Sequence, residues 1–358
     1  MFDFIKYKNI IYLAAFCIAG FQSTSVSAMD GESVEDDLTV RVLSIDGGVV
    51  RGAIPATILV DIEDKTGNSI AELFHIVGGT SIGCVLAASL TVPSKDNPLK
   101  PRSKMQDIID KFSKAGPNIF RWRLPIGSIY DTGALENMVD DFCDRTTFDK
   151  SVIPTVGVAF DILAGKTKAF CSWDEEEMFL TRDVMLSSSA APFFFYPRLV
   201  APVNFNASIR SQYFLADGGV SANNPTTLII AQARKLYPKA NRFEVLSLGN
   251  GRIEEAAYIS IFKGAAVLSS FLTRGFDIGL NVLSADRDEY TPDLIVGDYT
   301  RMNPVIPAST GSAVDASEAN LLALQKHTQY YLEENKVKYA ALIKRLEAPK
   351  CSVEKLKG

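Results

Sequence analysis

The sequence predicts an α/β fold, a three-layer domain with a mainly parallel central sheet and helices on both faces. Near the start of the fold, a strand, a glycine turn and a helix follow one another twice, beginning with strands at 39–45 and 75–77. This order is typical of parallel sheets with helical crossovers. No internal repeat and no Pro- or Ser-rich linker divides the chain, so one domain over 39–346 is the simplest interpretation.

Composition places the chain among ordinary globular proteins. Of its 358 residues, 47% are hydrophobic and 22% are charged, with a formal net charge of -5, which excludes disorder and disulfide-dense miniature scaffolds. The acidic balance argues against nucleic acid as the main partner, because phosphate binding needs clustered Lys and Arg. No run of 18 or more apolar residues occurs, so a polytopic membrane protein is excluded as well.

The first 28 residues have the layout of a cleavable secretory signal peptide. Lys6 and Lys8 form a basic head, and the apolar run at 10–21 is too short to span a bilayer comfortably. Cleavage is expected after Ala28, so the protein is expected to be secreted or exported; an uncleaved N-terminal anchor is the alternative. Residues 29–38 carry five acidic residues and no basic residue, which indicates a solvated leader.

Within the domain, local patterns predict each element in turn. β-Branched and apolar runs predict strands, and helical spacing of apolar residues predicts helices. A helix is expected to close near Gly67, and Pro225 suits the first turn of a later helix. Strands are expected at 39–45, 75–77, 153–162, 168–172, 212–216 and 243–248. Helices are expected at 49–65, 82–90, 103–114, 132–143, 181–188, after Pro225 and over most of 317–346, before a C-terminal tail at 347–358.

Three of the predicted strands end in glycine-containing turns that carry reactive or polarising groups. The turns lie at 46–52, 79–83 and 217–219. Because the carboxyl ends of parallel strands lie at one edge of a sheet, we expect these turns to converge there.

The turn at 79–83 reads Gly-Thr-Ser-Ile-Gly between a strand and a helix. In that context, a Gly-x-Ser-x-Gly sequence presents the serine hydroxyl on a sharp turn, and the glycines Gly79 and Gly83 let strand and helix approach closely. The helix N-terminus adds positive potential where an oxyanion forms. Ser81 is therefore a candidate nucleophile; a helix-capping serine or a phosphate-binding turn is the structural alternative.

The turn at 46–52 reads Asp-Gly-Gly-Val-Val-Arg-Gly. Consecutive backbone N–H groups at Gly47 and Gly48, with no Cβ in the way, suit an oxyanion or a phosphate. Val49 stands where the dinucleotide motif Gly-x-Gly-x-x-Gly needs its second glycine, and the turn lacks the Gly-Lys-Ser/Thr ending of a P-loop. Both departures argue against nucleotide binding at this turn.

A serine nucleophile needs a base, and the chain contains only 2 histidines, His75 and His327. At about 3.3 Å per residue, His75 is expected at the end of its strand remote from Ser81. His327 falls in a polar part of the C-terminal helical pattern, but it satisfies the order Ser, Asp, His of α/β-hydrolases and stays open. Asp217, at the end of an apolar strand, is the best-placed candidate, since partial burial would raise its pKa. A plain turn aspartate is the structural alternative.

Together, the motifs resemble those of the patatin-like phospholipases, which are lipid acyl hydrolases with a Ser–Asp dyad. Segments similar to the family's occur in its order, at 46–52, 79–83, 188–195, 217–225, 247–251 and 315–321. Val49 departs from the family's third glycine; its N–H group survives, but the turn is stiffer and more crowded. The near absence of histidine agrees with a family that dispenses with it.

The resemblance implies a patatin-like fold and a serine ester hydrolase that forms an acyl-enzyme intermediate. Ser81 would be the nucleophile and Asp217 the base. The oxyanion-hole residues would be Gly47, Gly48 and Val49, and the supporting residues would be Arg51, Gly79, Gly83 and Gly218. The substrate would be a phospholipid or another fatty-acyl ester, met at a peripheral membrane surface. No cofactor is implied, and no spaced His, Cys or Asp cluster points to a metal.

Several alternatives stay open. A histidine-dependent α/β-hydrolase would use His327, and a non-catalytic lipid-binding or storage protein could share the scaffold. Arg51 could face a phosphate head group or pin its own loop. The aromatic runs at 120–123 and 193–196 could line an acyl channel, touch a membrane or belong to the core. Disulfide pairing is undecided for Cys84, Cys143, Cys171 and Cys351.

Overall fold

The computed structural model describes residues 38–121, 129–204, 212–253, 291–307 and 312–357. Three predicted features lie wholly or partly outside the described residues: the signal peptide at 1–28, positions 29–37 of the acidic leader, and residues 122–123 of one aromatic run.

A mixed, mainly parallel sheet of eight strands forms the centre of the domain. Its strands are β1 (Thr39–Ile45), β2 (Ile76–Thr80), β3 (Thr155–Asp161), β4 (Lys166–Cys171), β5 (Arg198–Val200), β6 (Tyr213–Asp217), β7 (Arg242–Leu248) and β9 (Gly297–Met302). The strands β2, β1, β7 and β9 lie side by side in parallel, and β3 continues them next to β2. The pairs β3–β4, β3–β6 and β5–β6 are antiparallel. A separate short parallel pair joins β8 (Arg252–Ile253) to β10 (Val305–Ile306).

Helices connect the strands and cover the sheet. The α-helices of the described ranges are α1 (Ala53–Thr66), α2 (Ile70–Leu73), α3 (Ile82–Ser89), α4 (Met105–Ile119), α5 (Thr132–Cys143), α6 (Thr181–Ser188), α7 (Gly219–Ala222), α8 (Thr226–Leu236), α9 (Glu318–Glu334), α10 (Lys336–Glu347) and α11 (Val353–Lys357). Short 3-10 helices occupy Val49–Gly52, Phe148–Lys150 and Pro292–Leu294. In these ranges, no helix combines the length and the apolar character needed to cross a membrane.

Two hydrophobic cores lie on the two faces of the sheet, because side chains of a strand point alternately to opposite faces. In β1, Leu43 and Ile45 enter the larger core, which also contains buried side chains of α1, α3, α6 and α9. Val40 and Val42 enter the smaller core, with side chains of α8 and α11. The predicted three-layer α/β architecture is therefore confirmed.

The differences from the predicted elements concern extents and long-range pairing. The strand expected at 75–77 runs from Ile76 to Thr80, up to the Gly-x-Ser-x-Gly turn itself. The helical pattern at 317–346 is divided at Asn335 into α9 and α10. Strands β5 and β9 were not expected. Part of the expected tail at 347–358 forms α11, whose Leu356 is fully buried.

Candidate active site

Strands β2 and β6 meet end to end along one edge of β3. Thr80, the last residue of β2, pairs with Val158 of β3. Asp217, the last residue of β6, pairs with the next residue, Ala159. Because β6 runs antiparallel to β3 while β2 runs parallel to it, the carboxyl ends of β2 and β6 face each other. Ser81 and Asp217 therefore lie next to each other where the two strands meet.

This arrangement differs from the expected convergence of three turns at the carboxyl edge of a parallel sheet. The turns at 46–52 and 79–83 do follow parallel strands, but Asp217 arrives on an antiparallel strand from the opposite direction. The residues of β6 are an apolar β pattern, which predicts a strand but carries no information on its direction.

Ser81 stands on a strained turn between β2 and α3. Its φ of 55° and ψ of -127° lie where residues other than glycine rarely occur. The turn depends on close packing of the backbone: a Cβ at Gly79 would lie 2.2 Å from the carbonyl carbon of Gly83, and a Cβ at Gly83 would lie 2.3 Å from the carbonyl oxygen of Ile45. Glycine is required at both positions, and the sharp turn directs the Ser81 hydroxyl toward Asp217.

The Asp217 carboxylate accepts a hydrogen bond from the Gly219 N–H group at 2.7 Å through Oδ1, and the Ser81 hydroxyl is close enough to the carboxylate to affect its pKa. Burial raises the pKa of Asp217 from 3.8 to about 6, although the Ser81 hydroxyl and the hydrogen bond from Gly219 act to lower it. The carboxyl group is therefore ionised at neutral pH and more basic than an exposed aspartate. These are the properties of a general base.

The turn at 46–52 packs against Ser81 and presents two free N–H groups. A Cβ at Gly47 would lie 3.1 Å from the Ser81 Cβ. The expected role of Gly47 as an oxyanion donor does not fit the structure, because its N–H group donates to the Asn223 carbonyl at 3.0 Å. The N–H groups of Gly48 and Val49 have no hydrogen-bond partner among the described residues. Val49 has a φ of 54°, a strained value that explains why glycine suits this position better.

Long-range hydrogen bonds hold this turn in place. Arg301 of β9 forms a bidentate ion pair with Asp46, at 3.0 and 2.7 Å. The side-chain amides of Asn223 and Asn250 both donate to the Gly47 carbonyl. The two asparagines belong to segments that the family resemblance contains, so that resemblance could have marked them. Arg301 carries no such signal, because it is a single arginine in a strand distant in sequence.

Ser188, at the end of α6, forms hydrogen bonds with both segments that meet at the candidate site, the turn of Ser81 and the turn after Asp217. Its hydroxyl accepts a hydrogen bond from the Ser81 N–H group at 2.8 Å and donates one to the Val158 carbonyl at 2.6 Å. Its carbonyl accepts a hydrogen bond from the Gly218 N–H group at 3.3 Å. Ser188 therefore ties the backbone of the nucleophile turn to the backbone that follows Asp217, a role that sequence analysis did not assign.

Replacing Ser188 with alanine is expected to lower kcat for a soluble ester by about 10- to 100-fold with little change in KM, since a buried N–H and a buried C=O lose their partner. The Ser81 hydroxyl lowers the pKa of Asp217, and a misaligned Ser81 would do so less. The pKa of Asp217 should therefore rise, and the acid limb of the pH–rate profile should move to higher pH. Ser188→Thr keeps the hydroxyl and should recover most of the rate.

Ser187→Ala is the matched control for Ser188, because Ser187 is equally buried and its hydroxyl has no hydrogen-bond partner among the described residues. Equal losses of rate in the two alanine variants, with unchanged pH profiles, would contradict a positioning role for Ser188.

A small apolar pocket opens beside Ser81. Its walls come from the turn at 46–52, from α3, α4 and α5, and from the segment after α6. The lining residues are Val49, Ser81, Ile82, Val85, Phe112, Ile119, Phe120, Leu135, Met138, Ser189, Ala191, Phe194 and Phe195. Only the two serines bring hydroxyl groups, so the pocket suits a hydrocarbon chain.

The remaining predicted residues occupy supporting or remote positions. Arg51 is fully buried, which fits a role in its own loop and not contact with a lipid head group. A Cβ at Gly218 would lie 2.3 Å from the Val158 carbonyl oxygen. All four cysteines in question, Cys84, Cys143, Cys171 and Cys351, are free thiols. Within the described ranges, no cluster of His, Cys, Asp or Glu is placed to hold a metal ion.

Neither histidine belongs to the turn that carries Ser81. His75 is buried next to the start of β2, where its Nδ1 accepts a hydrogen bond from the Arg41 N–H group at 2.8 Å and its Nε2 lies 2.8 Å from the Cys351 carbonyl. Burial lowers the pKa of His75 to about 4, so the ring is neutral and donates through Nε2. His327 is half-buried in the middle of α9.

Comparisons with known proteins agree on one family. The family model for patatin-like phospholipases matches residues 43–230. Patatin-like protein 2 of Oryza sativa subsp. indica is 30% identical, and the alignment covers 87% of this chain and 88% of the relative. Patatin-T5 of Solanum tuberosum is 31% identical over 60% of this chain and 61% of its own length. VipD of Legionella pneumophila aligns with a TM-score of 0.30 at 12% identity, over 82% of this chain and 67% of that one, too low a similarity to support an inference.

Proposed function

Because this chain belongs to the patatin-like phospholipase family and is a lipid acyl hydrolase, we propose that it cleaves fatty-acyl esters through a dyad of Ser81 and Asp217. The observation that carries the proposal is the position of Ser81 next to the buried Asp217 carboxylate where β2 and β6 meet, with the pKa of that carboxylate raised to about 6. A serine hydroxyl is a weak nucleophile until a neighbouring base takes its proton, and Asp217 is the base in contact with it.

The reaction would proceed in two steps. Asp217 accepts the Ser81 proton as the Ser81 Oγ adds to the ester carbonyl, and the N–H groups of Gly48 and Val49 stabilise the oxyanion. The alcohol or lyso-lipid leaves with the proton held by Asp217, which produces an acyl-enzyme. Water then adds to the acyl carbonyl while Asp217 accepts its proton, and the fatty acid is released as Ser81 regains its hydrogen.

We propose a phospholipid or a related fatty-acyl ester as the substrate, reached at a lipid–water surface. Support comes from the pocket beside Ser81, whose apolar lining suits an acyl chain. The layout of residues 1–28 supports the further proposal that the protein is exported after cleavage at Ala28.

The pH dependence of kcat/KM on a soluble ester tests the dyad. Below about pH 6, Asp217 is protonated and cannot accept the Ser81 proton, so the rate should fall about tenfold per pH unit. Above that value the carboxylate is ionised and the rate should reach a plateau.

Because a histidine base could give an acid limb in a similar range, the same profile must be measured in His327→Ala. We expect His327→Ala to have the same kcat/KM as the wild type and the same acid limb in its pH profile. Loss of activity in His327→Ala, with the fold intact, would support a histidine-dependent hydrolase instead. A wild-type protein that binds lipid but turns over no ester would support a storage or binding function.

A further inference from the structure

Phe193 combines a strained backbone with an exposed aromatic ring. Among the described residues, four that are not glycine have positive φ: Val49, Ser81, Asp144 and Phe193. Two of them form part of the candidate active site, and Phe193, with a φ of 71°, belongs to the segment that walls the pocket beside Ser81. Its side chain is 83% exposed. Strained residues of this kind occur mainly at functional sites.

The surrounding contacts hold Phe193 outside the pocket. The N–H groups of Phe194 and Phe195 both donate to the Ala191 carbonyl, at 3.1 and 2.9 Å, and the Phe193 carbonyl accepts from Ile129 at 3.2 Å. Phe194 stacks on Tyr130 with ring centroids 5.3 Å apart. The same tight turn therefore directs Phe194 and Phe195 into the pocket wall and Phe193 into solvent.

Other exposed apolar side chains lie at this end of the sheet. Leu199 of β5 pairs with Phe214 of β6, and the Ile162 N–H group donates to the Phe214 carbonyl at 2.9 Å. Phe214 lies three residues before Asp217, which is about 10 Å along β6, on the side of Asp217 away from the end of β2. We call the exposed set the apolar rim; it consists of Ile162, Leu163, Phe193, Tyr196 and Leu199.

We propose that the apolar rim inserts into a phospholipid layer, with Phe193 as its leading side chain. The inference rests on the proposed function, because a lipid surface is the occupant that also supplies the acyl chain for the adjoining pocket. Exposed apolar groups of this kind mark sites of protein or membrane contact, and aromatic side chains favour the membrane interface. Insertion of Phe193 would place the pocket mouth at the depth where ester carbonyls lie.

The test compares Phe193→Asn with Leu99→Asn. Asparagine tolerates positive φ, so the first variant keeps the turn while removing the apolar ring. Leu99 is 88% exposed and lies in the loop after α3 and Thr91. Thr91 hydrogen-bonds to Thr155, the first residue of β3, so this loop begins at the end of β3 opposite to Ile162. Three quantities are measured: sedimentation with phosphatidylcholine–phosphatidylglycerol vesicles, hydrolysis of vesicle lipid and hydrolysis of a soluble short-chain ester.

We expect Phe193→Asn to lower vesicle binding about tenfold, and to lower the ratio of vesicle to soluble-ester hydrolysis by a similar factor. Leu99→Asn should match the wild type in all three measurements. The proposal would be overturned if Phe193→Asn bound vesicles as well as the wild type does. It would also be overturned if the wild-type protein did not bind vesicles. A wild-type dimer that becomes monomeric in Phe193→Asn would also overturn the proposal, because the apolar rim would then be an interface between two copies of the chain. Absence of soluble-ester turnover in every protein would contradict the proposed function, while vesicle binding would still decide the role of the rim.

Discussion

Replacing Ser81 with alanine is expected to lower kcat for a fatty-acyl ester by on the order of 10³-fold or more, which is the usual consequence of removing a nucleophile. The variant keeps the Ser81 backbone contact to Ser188, since that bond uses the main-chain N–H group. The fold should therefore survive, and the loss should appear in kcat with lipid binding retained. Product profiling by mass spectrometry, with wild-type protein in parallel, measures the effect.

Ser189→Ala is the control for this experiment. Ser189 lines the same pocket and is buried, and its hydroxyl has no hydrogen-bond partner among the described residues. We expect it to keep most of the wild-type rate. Full activity in Ser81→Ala would show that the nucleophile lies elsewhere and would end the assignment.

Replacing Asp217 with asparagine is expected to lower kcat by about 10²- to 10⁴-fold, the usual contribution of a general base. Asparagine can still accept the Gly219 N–H bond, but its amide cannot take a proton from Ser81. Steady-state kinetics on a soluble ester measures the loss. Activity equal to that of the wild type would show that Asp217 is a structural turn residue.

The same substitution should stabilise the fold near neutral pH. Burial raises the pKa of Asp217 from 3.8 to about 6. The Asp217 carboxyl group therefore binds a proton more tightly in the folded protein than in the unfolded chain. The carboxyl group therefore contributes most stability below about pH 4, and that contribution is lost as the pH rises through about 6. Asparagine removes the cost of the buried charge, so the free energy of unfolding should rise by roughly 2–3 kcal/mol at neutral pH.

Denaturant unfolding at acidic and neutral pH checks this effect, and the gain in stability of the asparagine variant should shrink as the pH falls. A less stable Asp217→Asn protein at neutral pH would contradict the pKa and would also weaken the kinetic interpretation.

Local features of the site could be predicted from the sequence. The turn at 79–83 has its glycines where strand and helix backbones touch, so its shape follows from five neighbouring residues. Asp217 could be chosen because the chain offers few histidines and an apolar strand ends at that aspartate. These inferences depend on short stretches of chain, where composition limits the conformations available.

Long-range pairing could not be predicted in the same way. The apolar pattern of β6 does not reveal that it runs antiparallel to β3 and meets β2 end to end. The Gly47 N–H group looked available in the sequence because its acceptor, the Asn223 carbonyl, lies 176 residues later. Ser188 contacts Ser81 and Val158, which lie 107 and 30 residues before it, and Arg301 contacts Asp46, which lies 255 residues before it. Such contacts arise when whole helices and strands pack together, so the sequence around each residue does not predict them.

In the proposed mechanism, Asp217, and no histidine, activates Ser81. The most direct test of this mechanism is the rate at which a fluorophosphonate probe modifies Ser81, followed by intact-protein mass spectrometry and peptide mapping across pH. We expect wild type and His327→Ala to react at the same rate, which rises to a plateau through about pH 6, and Asp217→Asn to react at least about tenfold more slowly on the plateau. Rapid modification of Asp217→Asn together with slow modification of His327→Ala would contradict the proposed mechanism.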